Sequence, residues 1–229
     1  MSSKFIIVEG PDFCGKSSQL DMLSINTWYF NKRMFFTREP GSYLPESSIE
    51  CEKIRKQVLE QDNTLEEEAI LFARSRYEHT KEIVKLLTED DNTVIISDRY
   101  IVSSLAYQAY AQFLGKDMIY EINEPSLRLL KDNDIEIHCI KFNLDRDEWE
   151  KRRDERLQKE SADSIEQKNI HEDILEFFSN DKIFNHYTEE LDMKIYNIDA
   201  NKSIMSVYIQ FFCLYHCLIK YTYFYKLFY

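Results

Sequence analysis

The chain has 229 residues, 44% of them hydrophobic, enough for one sizeable core and typical of a single α/β domain. A formal net charge of −12 argues against nucleic acid as a main partner, although a small phosphate ligand needs only a local cationic cluster. The five cysteines, Cys14, Cys51, Cys139, Cys213 and Cys217, show no C-x-x-C spacing and no secretory apolar run opens the sequence, so the expected setting is the reducing cytoplasm of a cell or of its host.

In chain order, β-rich runs at 5–9, 34–38, 94–97, 135–143 and 194–198 alternate with stretches long enough for helices near 16–30, 47–61, 64–88, 100–113, 146–158, 166–190 and 203–219. That alternation predicts one domain over 1–229, an α/β fold whose five-stranded parallel sheet is covered by helices on both faces. The first strand runs straight into Gly10-Pro11-Asp12-Phe13-Cys14-Gly15-Lys16-Ser17, the G-x-x-x-x-G-K-[ST] phosphate loop, with Ser18 following on the helix it opens. Glycines at these positions let backbone N–H groups turn inward onto an anion, and the helix N-terminus adds partial positive charge. Lys16 then reaches the β- and γ-phosphates of ATP, and the Ser17 hydroxyl ligates Mg²⁺. Asp98 closes the third apolar run, where an acid at the carboxyl edge of a parallel sheet faces the ligand crevice; it is either a second Mg²⁺-orienting group or a helix cap. The segment LDRDEWEKRRDERLQKESADSIEQK mixes both signs and reads as a solvated helical face or a lid. His216, Lys220 and Lys226 interrupt the apolar C-terminal stretch, which therefore predicts a core helix and no membrane partner, with an atypical aromatic tail from about 212.

Beyond the phosphate loop, TREPG at 37–41, EKIR at 52–55, AILFARSRYEH at 69–79, SDRYIVSSLAYQ at 97–108 and IDANKSI at 198–204 resemble, in order, the blocks of the thymidylate kinase family in its bacterial-like form. The resemblance implies a P-loop kinase fold, a homodimer, a lid near 152–165, and transfer of the γ-phosphoryl of Mg-ATP to dTMP. It implies that Arg38, Arg55, Arg76 and Arg99 surround the acceptor phosphate or lie between the two phosphates, the alternative being surface charge. It likewise implies that Asp12 holds the acceptor 3′-hydroxyl and organises an arginine, and that Glu39 and Pro40 shape the acceptor pocket, Glu39 being a further candidate for the metal's outer shell. Phe72 would stack on thymine, unless it only packs the core, while Ser104 and Gln108, four apart on one helical face, would meet the pyrimidine edge. Tyr107 would pack where a ribose carries its 2′-hydroxyl and so select deoxyribose. His79 reads as structural.

Bringing two phosphate anions into line requires cations, and the phosphate loop offers none between Pro11 and Cys14. The charged segment supplies Arg152, Arg153 and Arg156; Arg152 and Arg156 share a helical face, and Arg153 or Arg156 is the favoured finger. Two departures from the family pattern stand out: the stretch between Gly41 and Arg55 is long, and Ser164 stands where many bacterial members carry arginine. A kinase for other deoxynucleotides (dUMP, dGMP) and a non-catalytic nucleotide binder are the alternatives.

Overall fold

The five β-rich runs form β1 (Lys4–Glu9), β2 (Arg33–Arg38), β3 (Thr93–Asp98), β4 (Ile137–Asn143) and β5 (Met193–Asp199). In the computed structural model, which describes residues 3–26, 31–157 and 170–220, they make one parallel sheet in the order β2-β3-β1-β4-β5. This is the α/β architecture of a P-loop kinase. Side chains alternate across β1, so Phe5 and Ile7 enter one buried cluster with Ile83, Ile95 and Phe177, and Ile6 and Val8 enter a second with Leu23, Ile96, Phe142 and Phe211. Burying each such side chain contributes on the order of 1.5–3 kcal/mol, an upper range because the unfolded chain already hides part of it.

The helices are α1 (Lys16–Ile25), α2 (Ser48–Glu60), α3 (Leu65–Glu89), α4 (Ile101–Ser104), α5 (Lys116–Asp132), α6 (Arg146–Leu157), α7 (His171–Ser179), α8 (Asp181–Thr188) and α9 (Ile204–Lys220). Thr64 and Glu67 form a reciprocal capping box that starts α3 and satisfies two of its orphan N–H groups. Along α9, Val207, Phe211, Tyr215 and Ile219 recur every four residues and are all buried, which makes it the expected core helix. Among the described residues no helix is long and apolar enough to cross a membrane. Residues 27–30 of the first expected helix, 158–165 of the expected lid with Ser164, and 221–229 of the aromatic tail lie outside the described residues.

Three expectations change. The stretch 100–113 is not one α-helix: α4 passes at Leu105 into a π-helical segment, Leu105–Ala111, which closes with Gln112 N–H on the Tyr107 carbonyl. Within the stretch 166–190, the described residues 170–190 carry two helices and not one, because Asn180 adopts an extended conformation and its side chain caps α8 at Lys182 N–H. Helix α5 was not foreseen, since Pro125 lies inside it and reads as a break; the helix continues through it with Ile119, Asn123, Ser126 and Leu130 buried.

Candidate active site

The site forms where the chain leaves the carboxyl ends of β1 and β3, the crevice at which an open parallel sheet binds ligands. Gly10 leaves β1 with φ 154°, and a Cβ there would approach the Phe142 carbonyl to 2.9 Å, so only glycine lets the loop pass β4 so closely. Gly15 holds the left-handed turn, φ 90°, that opens α1. Lys16 is buried, and its ammonium donates to the carbonyls of Gly10 at 2.9 Å and Pro11 at 3.0 Å, curling back over the loop it serves.

Ser17 donates its hydroxyl to Asp98 Oδ2 at 3.2 Å, while Asp98 Oδ1 is buried without a hydrogen-bond partner among the described residues. One hydroxyl and one carboxylate with a spare oxygen suit a magnesium ion that draws its remaining ligands from nucleotide phosphates and water. No cluster of three or more metal-ligating side chains occurs among the described residues.

Asp12 is the hub of the next cluster. Arg99 Nη2 donates to its Oδ1, Tyr107 donates its hydroxyl to Oδ2 at 2.6 Å, and His171 Nδ1 stands 3.4 Å from Oδ2. Burial opposes its charge, but Arg99, His171 and Lys16 outweigh burial and hold the carboxyl well below the ordinary carboxylate range. Tyr107 responds in the opposite sense: burial pushes its phenol far up, so it acts as a donor. Arg99 packs over the Tyr107 ring with a backbone φ of 70°, unusual for a non-glycine residue and fixed by its N–H on the Val8 carbonyl.

A second cluster surrounds Arg76, only 2% exposed on α3. Its Nε donates to Glu39 Oε2 at 2.7 Å, Nη1 to Asn123 Oδ1 at 2.5 Å, and Nη2 to Ser104 Oγ at 3.0 Å. The other Glu39 oxygen meets His79 Nδ1 at 3.0 Å, and the opposite ring nitrogen pairs with Thr37 Oγ1 at 2.9 Å, so both ring nitrogens of His79 are engaged within the fold. Glu39 is therefore tied to Arg76 and His79 rather than to the Ser17–Asp98 pair. Its bond to Pro40 is cis. Arg55 donates to the Pro40 carbonyl at 2.8 Å, while Arg38 pairs with Glu52 at 3.0 Å and lies over the Tyr43 ring. The long stretch after Gly41 thus still delivers Arg55 from α2.

Arg152 on α6 reaches across to the phosphate loop, with Nη1 on the Cys14 carbonyl at 3.3 Å, Nη2 on the Ala200 carbonyl at 2.8 Å, and Nε on Glu148 at 2.8 Å. Arg153 turns away instead, over the Trp149 ring and onto Asp154.

A single cavity of about 960 Å³ joins these clusters. It is lined by every residue assigned above to the donor, acceptor or metal except Gly10, Pro11 and Arg153. Phe72, Ser104 and Gln108 line the same cavity, as does Arg156.

The family model described as thymidylate kinase matches residues 8–208. The thymidylate kinase of Acholeplasma laidlawii is 31% identical over 89% of this chain and 94% of its own length, and that of Finegoldia magna 31% over 90% and 94%. That of Mycoplasma genitalium is 34% identical over 56% of the chain and 60% of its own length. The chain belongs to the thymidylate kinase family. It is a nucleoside monophosphate phosphotransferase of the dTMP kinase class.

For a thymidylate kinase, the arrangement differs from the sequence expectation in which residues act together. Arg76 stands with Ser104 and Asn123 on the side of Phe72, whereas Arg99 stands with Asp12, so the arginines divide into two groups. Spacing on α6 foretold that Arg152 and Arg156 would share a face; both line the cavity and Arg153 does not. Sequence reasoning missed Asn123, His171 and Ser103. It passed over Asn201, Lys202 and Ser203 as well, which line the donor end and which the IDANKSI block would have flagged.

Proposed function

We propose that the cavity holds Mg-ATP along the phosphate loop and dTMP between Phe72, Ser104, Gln108 and Arg76 at one end and Arg38, Arg55 and Arg99 nearer the loop. The observation that carries this is the continuity of the cavity: a phosphate loop with its Ser17–Asp98 pair opens into the same space as a separate set of cations and an aromatic–amide pocket.

At neutral pH the acceptor phosphate, with a second pKa near 6, is mostly dianionic and needs no general base. One of its oxygens attacks the γ-phosphorus, the bond from that phosphorus to the β,γ-bridging oxygen breaks, and ADP leaves with that oxygen. Ser17 and Asp98 would hold Mg²⁺, which when bound neutralises charge on the β- and γ-oxygens. Lys16 exchanges its carbonyl partners for phosphate oxygens, Arg99 and Arg55 orient the acceptor phosphate, and Arg156 brings a further cation from α6. Asp12 accepts the acceptor 3′-hydroxyl, and Tyr107 closes the space beside the sugar where a 2′-hydroxyl would stand.

Ile49 on α2 and Ile70 on α3 are 81% and 51% exposed, apolar surface suited to pairing with a second copy. Sedimentation of the chain at micromolar concentration tests that dimer. The five free thiols agree with a cytoplasmic setting. ADP release measured with dTMP, dUMP, dGMP and ribo-TMP as acceptors tests the substrate reading. The expected order places dTMP first by at least about tenfold, as site-specific hydrogen bonding to one acceptor allows. Equal rates with all four would favour a broad deoxynucleotide kinase instead.

A further inference from the structure

Glu9, the last residue of β1, is completely buried at the floor of the site, beside the phosphate loop but turned away from it. Its Oε1 accepts from Tyr100 N–H at 2.7 Å and Ser103 N–H at 3.3 Å, and its Oε2 accepts from the Ser103 hydroxyl at 2.7 Å. Helix α4 has no capping side chain of its own at Tyr100, so a carboxylate from a different element supplies the cap. The Ser103 hydroxyl has one proton, and that proton is committed to Glu9. Its lone pairs then face Arg99, whose Nη1 donates to it at 3.1 Å while Nη2 holds Asp12. The three side chains form a directed chain in which Arg99 donates to Ser103 and Ser103 donates to Glu9.

We propose that Glu9 and Ser103 together are a positioning relay for Arg99, fixing the acceptor-side cation and, through it, Asp12. Glu9 lies outside the cavity lining and Ser103 on it, and both act through Arg99. The inference rests on the reading of Arg99 as an acceptor-phosphate ligand.

The direction of the chain depends on the charge of Glu9. An ionised carboxylate only accepts and forces the hydroxyl to present its lone pairs to Arg99; a protonated one can donate into Ser103 Oγ and compete for that place. Burial pushes the Glu9 carboxyl up to about 7, against the opposing pull of Arg99, the Ser103 and Tyr100 donors, and Lys16. The other titratable groups facing it are Tyr107 from the π-helical segment and Cys139 from β4, both of which burial keeps protonated, and Lys141 lies beside it in register on β4. The relay is therefore set above neutral pH and loosened below it.

The test compares Glu9→Gln, Ser103→Ala and the double variant with the wild-type chain, reading kcat/KM for dTMP, KM for ATP and thermal unfolding between pH 6 and 8. The expected wild-type to Glu9→Gln ratio of kcat/KM for dTMP is about tenfold at pH 8 and close to one at pH 6; taking the ratio cancels the acceptor's own ionisation. Ser103→Ala loses the same factor at pH 8, the double variant loses no more than the larger single effect, and KM for ATP is retained while the melting temperature falls only by the loss at the α4 cap. A ratio that does not change with pH, or additive losses that raise KM for ATP in parallel, would overturn the relay. Single variants within twofold of wild type beside an Arg99→Ala variant slowed at least about a hundredfold would overturn the relay and leave the reading of Arg99 standing. An Arg99→Ala variant of normal rate would overturn both.

Discussion

At the proposed acceptor end of the cavity two arginines are already paired with carboxylates, Arg76 with Glu39 fully buried and Arg99 with Asp12 half-buried, while Arg38 pairs with Glu52 nearer the surface and Arg55 holds the Pro40 carbonyl. At the donor end Lys16 and Arg152 hold mainly neutral carbonyl oxygens of the loops at 10–14 and 200–202. A buried ion pair with further hydrogen bonds fixes its geometry, because removing either partner strands a charge at a cost of about 3–5 kcal/mol. A cation on carbonyl dipoles gives up far less when it exchanges them for phosphate oxygens. On the proposed reading, the acceptor end built around Arg76 and Glu39 is a preset mould, and the donor end is a set of cations ready to move onto a polyanion.

The largest effect expected from this contrast lies on α6. Arg156→Ala should lower kcat on the order of a thousandfold with little change in ATP affinity, because its contact strengthens chiefly in the transition state. Arg153→Ala, stacked on Trp149 outside the cavity, should stay within about threefold. Single-turnover and steady-state rates for both variants check this, and the opposite ranking would mean that α6 reorients when the donor binds. Next in size, Lys16→Ala should cost at least about a hundredfold in turnover while leaving the melting curve largely in place, since its direct partners are carbonyl oxygens and Asp12 keeps its bond from Arg99. A slow variant that is also unfolded would instead make Lys16 a structural post of the loop.

A smaller effect is expected from the mould. Tyr107→Ala should narrow the preference for dTMP over ribo-TMP by about tenfold, whereas Tyr107→Phe, which keeps the ring and loses only the 2.6 Å bond to Asp12, should keep it. Competition assays with both acceptors separate the two. Equal behaviour of the two variants would assign selectivity to the Asp12 bond and not to the ring.

The same contrast governs which parts of the molecule are legible in its sequence. The phosphate loop was legible because its spacing is a backbone requirement, and Gly10 and Gly15 occupy the conformations it demands. The sheet was legible because β1, β3 and β4 are buried and therefore read as apolar runs. The mould was only partly legible. Arg76, Arg99 and Asp12 stood out in family-like blocks, but Asn123 comes from a helix concealed by Pro125, and the pairings of Ser103 with Glu9 and of His171 with Asp12 join residues distant in sequence. The π-helical register of Leu105–Ala111, which carries Tyr107 and Gln108, leaves no mark in apolar periodicity either, since the segment is buried almost all round.

Calorimetric titration of dTMP into the chain, with and without a non-hydrolysable ATP analogue and Mg²⁺, tests the contrast most directly. A mould already assembled predicts dTMP affinities that agree within about threefold in the two conditions, because no conformational equilibrium stands between the free chain and the binding-competent one. Affinity for dTMP that is at least about tenfold weaker without the nucleotide would contradict it, and would mean that the acceptor end is organised only when the donor is bound.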